Sequence, residues 1–359
     1  MSIRTATAII DFQALANNYQ TIKAYAPNSK VLAVLKANAY GHGLERIAKA
    51  LPQADGFGVA RIDEAIALRK AGIEQPIVLL EGFFSPDEVY LLSEYNLDTI
   101  IHNTQQLKAI TQSSLDTPIK VWLKIDTGMH RLGISPNEVT TFYQTLEHSK
   151  NVQKGIVLIS HLGCADDIHD QTTVAQVNLF NQLSILGTEC SLANSAGVCA
   201  WPESHFDWVR PGLMLYGVSP MIALSDEKKA LQPVMTLKSS IISIRKIAKG
   251  DSVGYGSAWT SDQSTHIAVI AIGYGDGYPR HAGNGTPVHV NGRIVPLVGR
   301  VSMDMITVDL GEDLKDQVGD EATLWGVDLP IEQVAKYATT IPYELLCNIS
   351  RRVHISLKK

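Results

Sequence analysis

The sequence has 359 residues, with 31 Lys plus Arg against 36 Asp plus Glu, a formal charge of −5 at pH 7; it is 45% hydrophobic and 19% charged. That length suggests two domains with an ordinary core, and the composition excludes a mainly disordered or fibrous chain. The slight acidic surplus makes nucleic acid or anionic lipid an unexpected partner.

The four cysteines, Cys164, Cys190, Cys199 and Cys347, make no CxxC pair, which argues against a disulfide scaffold and fits a reducing compartment. The opening residues Met1 to Asp11 are too short and too rich in Thr for a signal-peptide core, and no run of about 18 uncharged apolar residues follows. A cytoplasmic protein is expected.

Residues 5–10 read as an opening strand expected to pair with a later domain. From about residue 31 to 217, short apolar runs alternate with helical stretches. The expected strands are Val31 to Lys36, Gly56 to Ala60, Pro76 to Glu81, Thr99 to His102, Ile119 to Ile125, Gly155 to His161, Cys190 to Ala193 and Trp208 to Tyr216, with helical period in segments such as 63–71 and 176–186. Eight parallel strands with intervening helices predict a (β/α)8 TIM barrel; a doubly wound open sheet is the competing architecture. Past residue 230 the runs Ser239 to Ile247, His266 to Ile272, Pro287 to Val290 and Met305 to Leu310 alternate between Gly/Asp/Asn turns, which predicts an antiparallel β domain. A helix over 330–337 and a strand over 353–357 close the chain. The expected division is 1–230 for the barrel and 231–359 for the β domain.

In such a barrel, reactive groups sit at the carboxyl ends of the strands. Lys36 ends a strand apolar enough to be buried on both faces. There it is either a desolvated, nucleophilic amine suited to a Schiff base or a surface lysine whose stem covers the strand end. Tyr40, Tyr216, Tyr255, Tyr274 and Tyr278 each adjoin a glycine, so their hydroxyls either face a cleft or fill turns. Tyr255, with glycines on both sides, stands out. His161, the Asn194-Ser195-Ala196-Gly197 run and the Arg210-Pro211-Gly212 run fall at ends of the last three barrel strands, where a phosphate site is expected. The cluster His161, Cys164, Asp166, Asp167, His169 and Asp170 matches no metal-ligand spacing and reads as a solvated acidic loop, so no metal is assigned.

The string VLKANAYGHG at 34–43 resembles the pyridoxal-phosphate attachment motif of alanine racemases. KIDTGMHRLG at 124–133, NSAG at 194–197, VRPGLMLYG at 209–217, VGYGSA at 253–258, GYGDGY at 273–278 and GRVSMD at 299–304 resemble further motifs of that fold type III family, in family order. The resemblance covers essentially the whole chain. It implies a barrel joined to a β domain, a homodimer with shared active sites, and pyridoxal 5'-phosphate held by Lys36 as an aldimine.

It further implies Lys36 and Tyr255 as the two bases, with Tyr255 supplied by the partner subunit. Arg210 would face the pyridine nitrogen, with His161 linked to it. Tyr40, Ser195, Gly212 and Tyr343 would hold the phosphate, and Asn194 and Leu213 would line the cofactor site. Arg131 and the backbone of Met303 would meet the substrate carboxylate, with Asp304 nearby and Tyr274 in the substrate channel. Lys124 matches a position carbamylated in some members. Ser302 stands where many members carry Cys, and Leu213 where Ile is common, differences that bear on substrate preference.

The implied activity is two-base interconversion of L-alanine and D-alanine, for peptidoglycan or for alanine catabolism. A pyridoxal-phosphate decarboxylase of the same barrel class and a non-catalytic cofactor-binding protein are the competing readings. Arg210 disfavours the first; residues 230–359 and Tyr255 would be superfluous in the second.

Overall fold

In the computed structural model, residues 6–183, 185, 187–222 and 231–358 are described. Residue 5 of the expected opening strand, residues 184 and 186 of the expected helical segment, and residues 223–230 at the expected domain boundary lie outside them. The chain divides into two compact units: one holds Ala16–Leu215 and Ser219–Leu231, the other the segment up to Leu15, Tyr216–Val218, and the residues from Gln232 onward.

The opening strand β1 (Thr7–Asp11) belongs to the second unit. The first unit is a closed barrel of eight parallel strands: β2 (Lys30–Val34), β3 (Gly56–Val59), β4 (Ile77–Leu79), β5 (Asp98–Ile101), β6 (Val121–Lys124), β7 (Val157–Ile159), β8 (Cys190–Ser191) and β9 (Trp208–Val209). β9 closes on β2, with Lys30 opposite Trp208 and Val31 opposite Val209. The strands read as unbroken apolar runs because helices cover the outer face while side chains fill the interior. Leu32, Val78, Ile100, Trp122, Val157, Ile159 and Trp208 form that filling, with Trp122 and Trp208 edge to face at 5.3 Å. β3 contributes glycines here: a Cβ on Gly56 or Gly58 would stand 3.0 Å from Leu32 or Leu80 respectively.

All eight expected barrel strands occur, most of them shorter. The last ends at Val209 because Pro211 has no N–H to continue a ladder, and Leu213–Tyr216 turns instead into a 3-10 helix.

The second unit is built from β1 with β10 (Met235–Ile247), β13 (Thr265–Ile270), β14 (Pro287–Val290), β15 (Arg293–Pro296), β16 (Ile306–Gly311), β17 (Glu321–Trp325) and β18 (His354–Lys358), while β11 (Ser252–Val253) and β12 (Trp259–Thr260) form a separate hairpin. The sheet runs β15-β14-β17-β10-β1-β18, and β13 joins β10 to β16. As expected, β1 pairs here, antiparallel to β10 and parallel to β18. Its core includes Tyr278 stacked on Trp325 at 6.1 Å. Among the described residues, no helix is long and apolar enough to cross a membrane.

Candidate active site

At the carboxyl end of β2 the chain leaves its ordinary hand. Ala37, Asn38, Ala39 and Tyr40 have φ of 54, 56, 53 and 50°, a left-handed turn of four non-glycine residues immediately after Lys36. Such a conformation costs roughly 1–2 kcal/mol for each L-residue, so surrounding bonds must hold it. Asn38 Oδ1 accepts from Leu44 N at 2.9 Å, and His42 Nδ1 lies 2.8 Å from Tyr40 O and 3.1 Å from Ala39 O. The fully buried His42 has its pKa pushed down to about 4 by desolvation, so it is neutral and its Nδ1–H donates to those carbonyls. Glu64 Oε1 accepts from Ala37 N at 2.8 Å.

Just past β9, the strand beside β2, Arg210 is buried, its backbone N–H bonded to Ala193 O at 2.9 Å. Its Nη1 donates to Ser191 Oγ at 2.6 Å, and its Nη2 to Ser160 O at 2.6 Å and Leu192 O at 3.2 Å. Nη2 also lies 3.3 Å from His161 Nδ1. Desolvation brings Arg210 down to about 9, still charged at neutral pH. His161 is held well below its ordinary value by burial and then by Arg210, Lys124, Arg131 and Lys36; it is neutral, and Nδ1 is free to accept from Arg210.

Lys124, at the end of β6, is 8% exposed. Burial, then the charges of Arg210, Arg131 and Lys36, bring its pKa down to about 7, with Glu81 opposing. Three cationic side chains therefore act on one buried amine, with the Glu81 carboxylate acting against them. Such a set is suited to an anionic ligand.

A second feature fixes where an anion could sit. Ser195 Oγ accepts Gly212 N at 2.9 Å and Met214 N at 3.4 Å, which leaves its own proton to donate. A Cβ on Gly212 would lie 2.5 Å from the Tyr40 hydroxyl, so only a residue without a side chain admits that phenol. Asn194 caps the following turn, accepting Gly197 N at 3.0 Å and donating to Leu162 O at 3.3 Å. Leu213 is buried beside this run. Arg131 is exposed, on a loop where Asp126 accepts from Gly128 N and His130 N and approaches His130 Nδ1 at 3.0 Å.

Within the second unit, Tyr255 follows the β11 strand on a turn with Gly254 at φ 76°, Gly256 at 69° and Ser257 at 49°, and it is 68% exposed. Tyr274 and Met303 are brought together by backbone pairing: Tyr274 N donates to Ser302 O at 3.0 Å and Gly275 N to Met303 O at 2.9 Å. A Cβ on Gly273 would meet Ser302 O at 2.3 Å, which explains the glycine. Asp304 is paired with Arg352 at 2.7 Å, and Arg352 reaches Asp276 at 3.3 Å. Tyr343 lies on the helix Pro342–Cys347, more than a third exposed.

Comparison with known proteins decides the family. The domain described as "Alanine racemase, N-terminal domain" matches residues 10–220, and "Alanine racemase, C-terminal domain" matches residues 234–357. This chain belongs to the alanine racemase family. Among curated alanine racemases, one from Vibrio cholerae is 54% identical over 355 residues, 99% of this chain and 98% of that protein. The solved biosynthetic alanine racemase from Pseudomonas aeruginosa superposes with TM-score 0.96 at 42% identity, covering 99% of this chain and 100% of that one. An alanine racemase from Bartonella henselae, solved with covalently bound pyridoxal phosphate, superposes with TM-score 0.89 at 31% identity, covering 99% and 100%.

For this alanine racemase family member, the barrel brings Lys36, Tyr40, Lys124, His161, Ser195, Arg210 and Gly212 to one set of strand ends. Tyr216 and Tyr278, two of the glycine-flanked tyrosines, are 1% exposed and fill core instead. Within the acidic loop, Asp167 and Asp170 serve turns, accepting His169 N and Thr172 N. Sequence reasoning missed Glu64, Glu81, Ser191 and Gln176. Gln176 joins two strand-end loops, donating to His161 O at 2.9 Å and Thr127 Oγ1 at 3.2 Å and accepting Gly163 N at 2.9 Å. Glu64 carried a legible signal, an acidic residue three positions after a helix-initiating Arg61; Gln176 looks from sequence like one more polar helix position.

Proposed function

We propose that this chain interconverts L-alanine and D-alanine, with pyridoxal phosphate held at the barrel mouth. The observation that carries the reading is the set of three cations, Lys36, Arg131 and Arg210, around the buried amine of Lys124, beside the Tyr40–Gly212 contact and the donating Ser195 hydroxyl. These residues fit the cofactor: hydroxyls and a side-chain-free backbone for a phosphate, and an amine for an aldehyde. When bound, pyridoxal phosphate supplies electron withdrawal that acidifies the α C–H of an amino acid.

Lys36 would hold the cofactor, Tyr40, Ser195, Gly212 and Tyr343 the phosphate, and Asn194 and Leu213 would line the site. Arg210 would face the ring nitrogen, donating to it rather than protonating it, while neutral His161 accepts from Arg210 on the other side. Lys36 takes or returns the proton at Cα on one face; Tyr255 of the partner subunit does so on the other. The high exposure of Tyr255 within its own domain supports that assignment, and with it a homodimer in which the β domain completes the partner's site. Arg131 and the Met303 backbone would bind the substrate carboxylate, with Asp304 near it and Tyr274 in the channel. Lys124, with its pKa brought down to about 7, holds about half of its population at neutral pH in the uncharged form that takes up carbon dioxide, and a carbamate there would orient Arg131.

A cytoplasmic location completes the reading, supported by four cysteines that are all unbridged. D-alanine made there would feed peptidoglycan, or D-alanine taken up would be catabolised.

The test is direct. Purified protein with pyridoxal phosphate and L-alanine is expected to yield D-alanine by chiral chromatography, and the rate per subunit should fall on dilution below the dimer constant. Carbon dioxide without D-alanine would instead mean a decarboxylase, and neither product a non-catalytic carrier.

A further inference from the structure

We propose that Glu64 is a positioning residue for the attachment lysine: it clamps the left-handed turn that follows Lys36. The inference rests on Lys36 as the site of cofactor attachment.

Glu64 lies on the helix Ile62–Lys70, in the β/α unit after the one that carries Lys36. Its two oxygens divide their work. Oε2 accepts from Ala60 N at 2.9 Å and Arg61 N at 3.3 Å, which satisfies the start of its own helix. Oε1 accepts from Ala37 N at 2.8 Å, in a different unit of the barrel. Helix capping accounts for the first pair and not for the second.

The turn needs such a tie. Inside it, Ala39 N bonds to Leu35 O at 2.7 Å, Gly41 N to Ala37 O at 3.1 Å and Gly43 N to Asn38 O at 2.9 Å. Asn38 and His42 add bonds that also remain within the 35–44 segment. Those bonds fix the shape of the turn. Leu35 N, donating to Gly58 O at 2.8 Å, ties the segment to β3 before Lys36, and the Glu64 bond adds a tie on the other side, at the first amide after Lys36. The same turn delivers the Tyr40 hydroxyl to Gly212 on the far side of the β2–β9 seam. A shift of the turn would therefore move amine and phenol together, and displacements of about 1 Å at reacting groups cost up to about 100-fold in rate.

Glu64→Gln separates clamp from cap. A glutamine has one acceptor oxygen, which can serve the helix start as capping glutamines do, and its NH2 group would then oppose the Ala37 N–H. The expected result is loss of about tenfold in both kcat and affinity of the apoprotein for pyridoxal phosphate, read by fluorescence titration, with KM for alanine little changed. Adding Ala37→Gly, which removes the Cβ penalty at φ 54°, is expected to recover part of both losses. Wild-type values of kcat and cofactor affinity in Glu64→Gln would overturn the proposal and leave Glu64 a helix cap.

Hydrogen exchange in the wild-type apoprotein tests the same idea without a variant. The Ala37 amide is expected to be protected before cofactor is added, because the clamp is internal to the chain; exchange at the rate of an unstructured amide would overturn it. Lys36→Ala distinguishes the underlying reading. Should that variant still give a borohydride-trapped cofactor adduct, the lysine assignment fails, whereas the Ala37 exchange result concerns the clamp alone.

Discussion

Arg210 Nη2 and His161 Nδ1 stand 3.3 Å apart, a charged donor facing a neutral acceptor. The guanidinium keeps its charge and helps hold the imidazole neutral, and the neutral imidazole accepts one of the guanidinium's hydrogens. Three further acceptors, Ser191 Oγ, Ser160 O and Leu192 O, fix the guanidinium in a buried setting. Placed at the cofactor's ring nitrogen, as proposed, a donor so rigidly held would disfavour protonation there.

Arg210→Glu reverses that bias. A carboxylic acid at this place can give the ring nitrogen a proton and deepen the cofactor's electron sink, so side reactions should gain on racemisation. Pyruvate formed per D-alanine formed is expected to rise at least about tenfold, while racemisation falls. An unchanged ratio would count against this account of Arg210.

Gly212→Ala addresses the phosphate cradle. Its new Cβ would lie 2.5 Å from the Tyr40 hydroxyl and 3.1 Å from the ring carbon bearing it. Tyr40 sits on the constrained left-handed turn, so the phenol has little room to retreat. Overpacking of this kind costs roughly 1–3 kcal/mol. Cofactor affinity should drop by about tenfold or more, with a modest fall in melting temperature; full affinity despite the added methyl would remove Tyr40 from the phosphate site.

Much of this architecture is legible in the sequence because the barrel strands announce themselves. A run such as Val31 to Leu35 is apolar on both faces only when both faces are covered. The anomaly of Lys36 is visible for the same reason. The left-handed turn is not: alanines at positions 37 and 39 favour ordinary helix, and backbone bonds inside the turn together with those from Asn38, His42 and Glu64 overrule them. Likewise, glycine adjacency does not separate Tyr255 from Tyr278. Gly254 and Gly256 frame an exposed turn, whereas Gly277 precedes a tyrosine in a core stacking contact with Trp325, a difference set by tertiary packing.

Tyr255→Phe removes one oxygen from a side chain 68% exposed within its domain, so stability should stay within about 0.5 kcal/mol of wild type. Racemisation should be lost in both directions, since each direction needs one base to remove the proton and the other to return it. In deuterated water, α-hydrogen exchange should survive in the enantiomer whose proton faces Lys36 and vanish in the other. Equal loss of exchange in both enantiomers would argue against bases on separate faces.

Lys124 gives a pH dependence whose sign is fixed. In the folded chain it takes its proton near pH 7, against 10.5 for a free lysine side chain, because burial and three neighbouring cations oppose the charge. Between those values the unfolded chain holds a proton that the native chain lacks, so this residue's contribution to unfolding free energy rises with pH across that window. Below it, both states are protonated and Lys124 penalises the native state in full; above it, the penalty is gone. Apoprotein carrying Lys124→Met, in buffer free of carbon dioxide, should therefore melt higher than wild type at about pH 6, with the gap narrowing steadily toward about pH 10. A gap independent of pH would mean that the lysine is not depressed. Bicarbonate supplies the second arm of the experiment. Carbon dioxide adding to the neutral amine would form an N–C bond and release one proton, and the resulting anion would sit near Arg131, Arg210 and Lys36. Bicarbonate at about pH 8 is thus expected to raise the melting temperature of wild type and leave Lys124→Met unmoved, since the charge it introduces offsets the surplus of cations that depresses Lys124 in the first place.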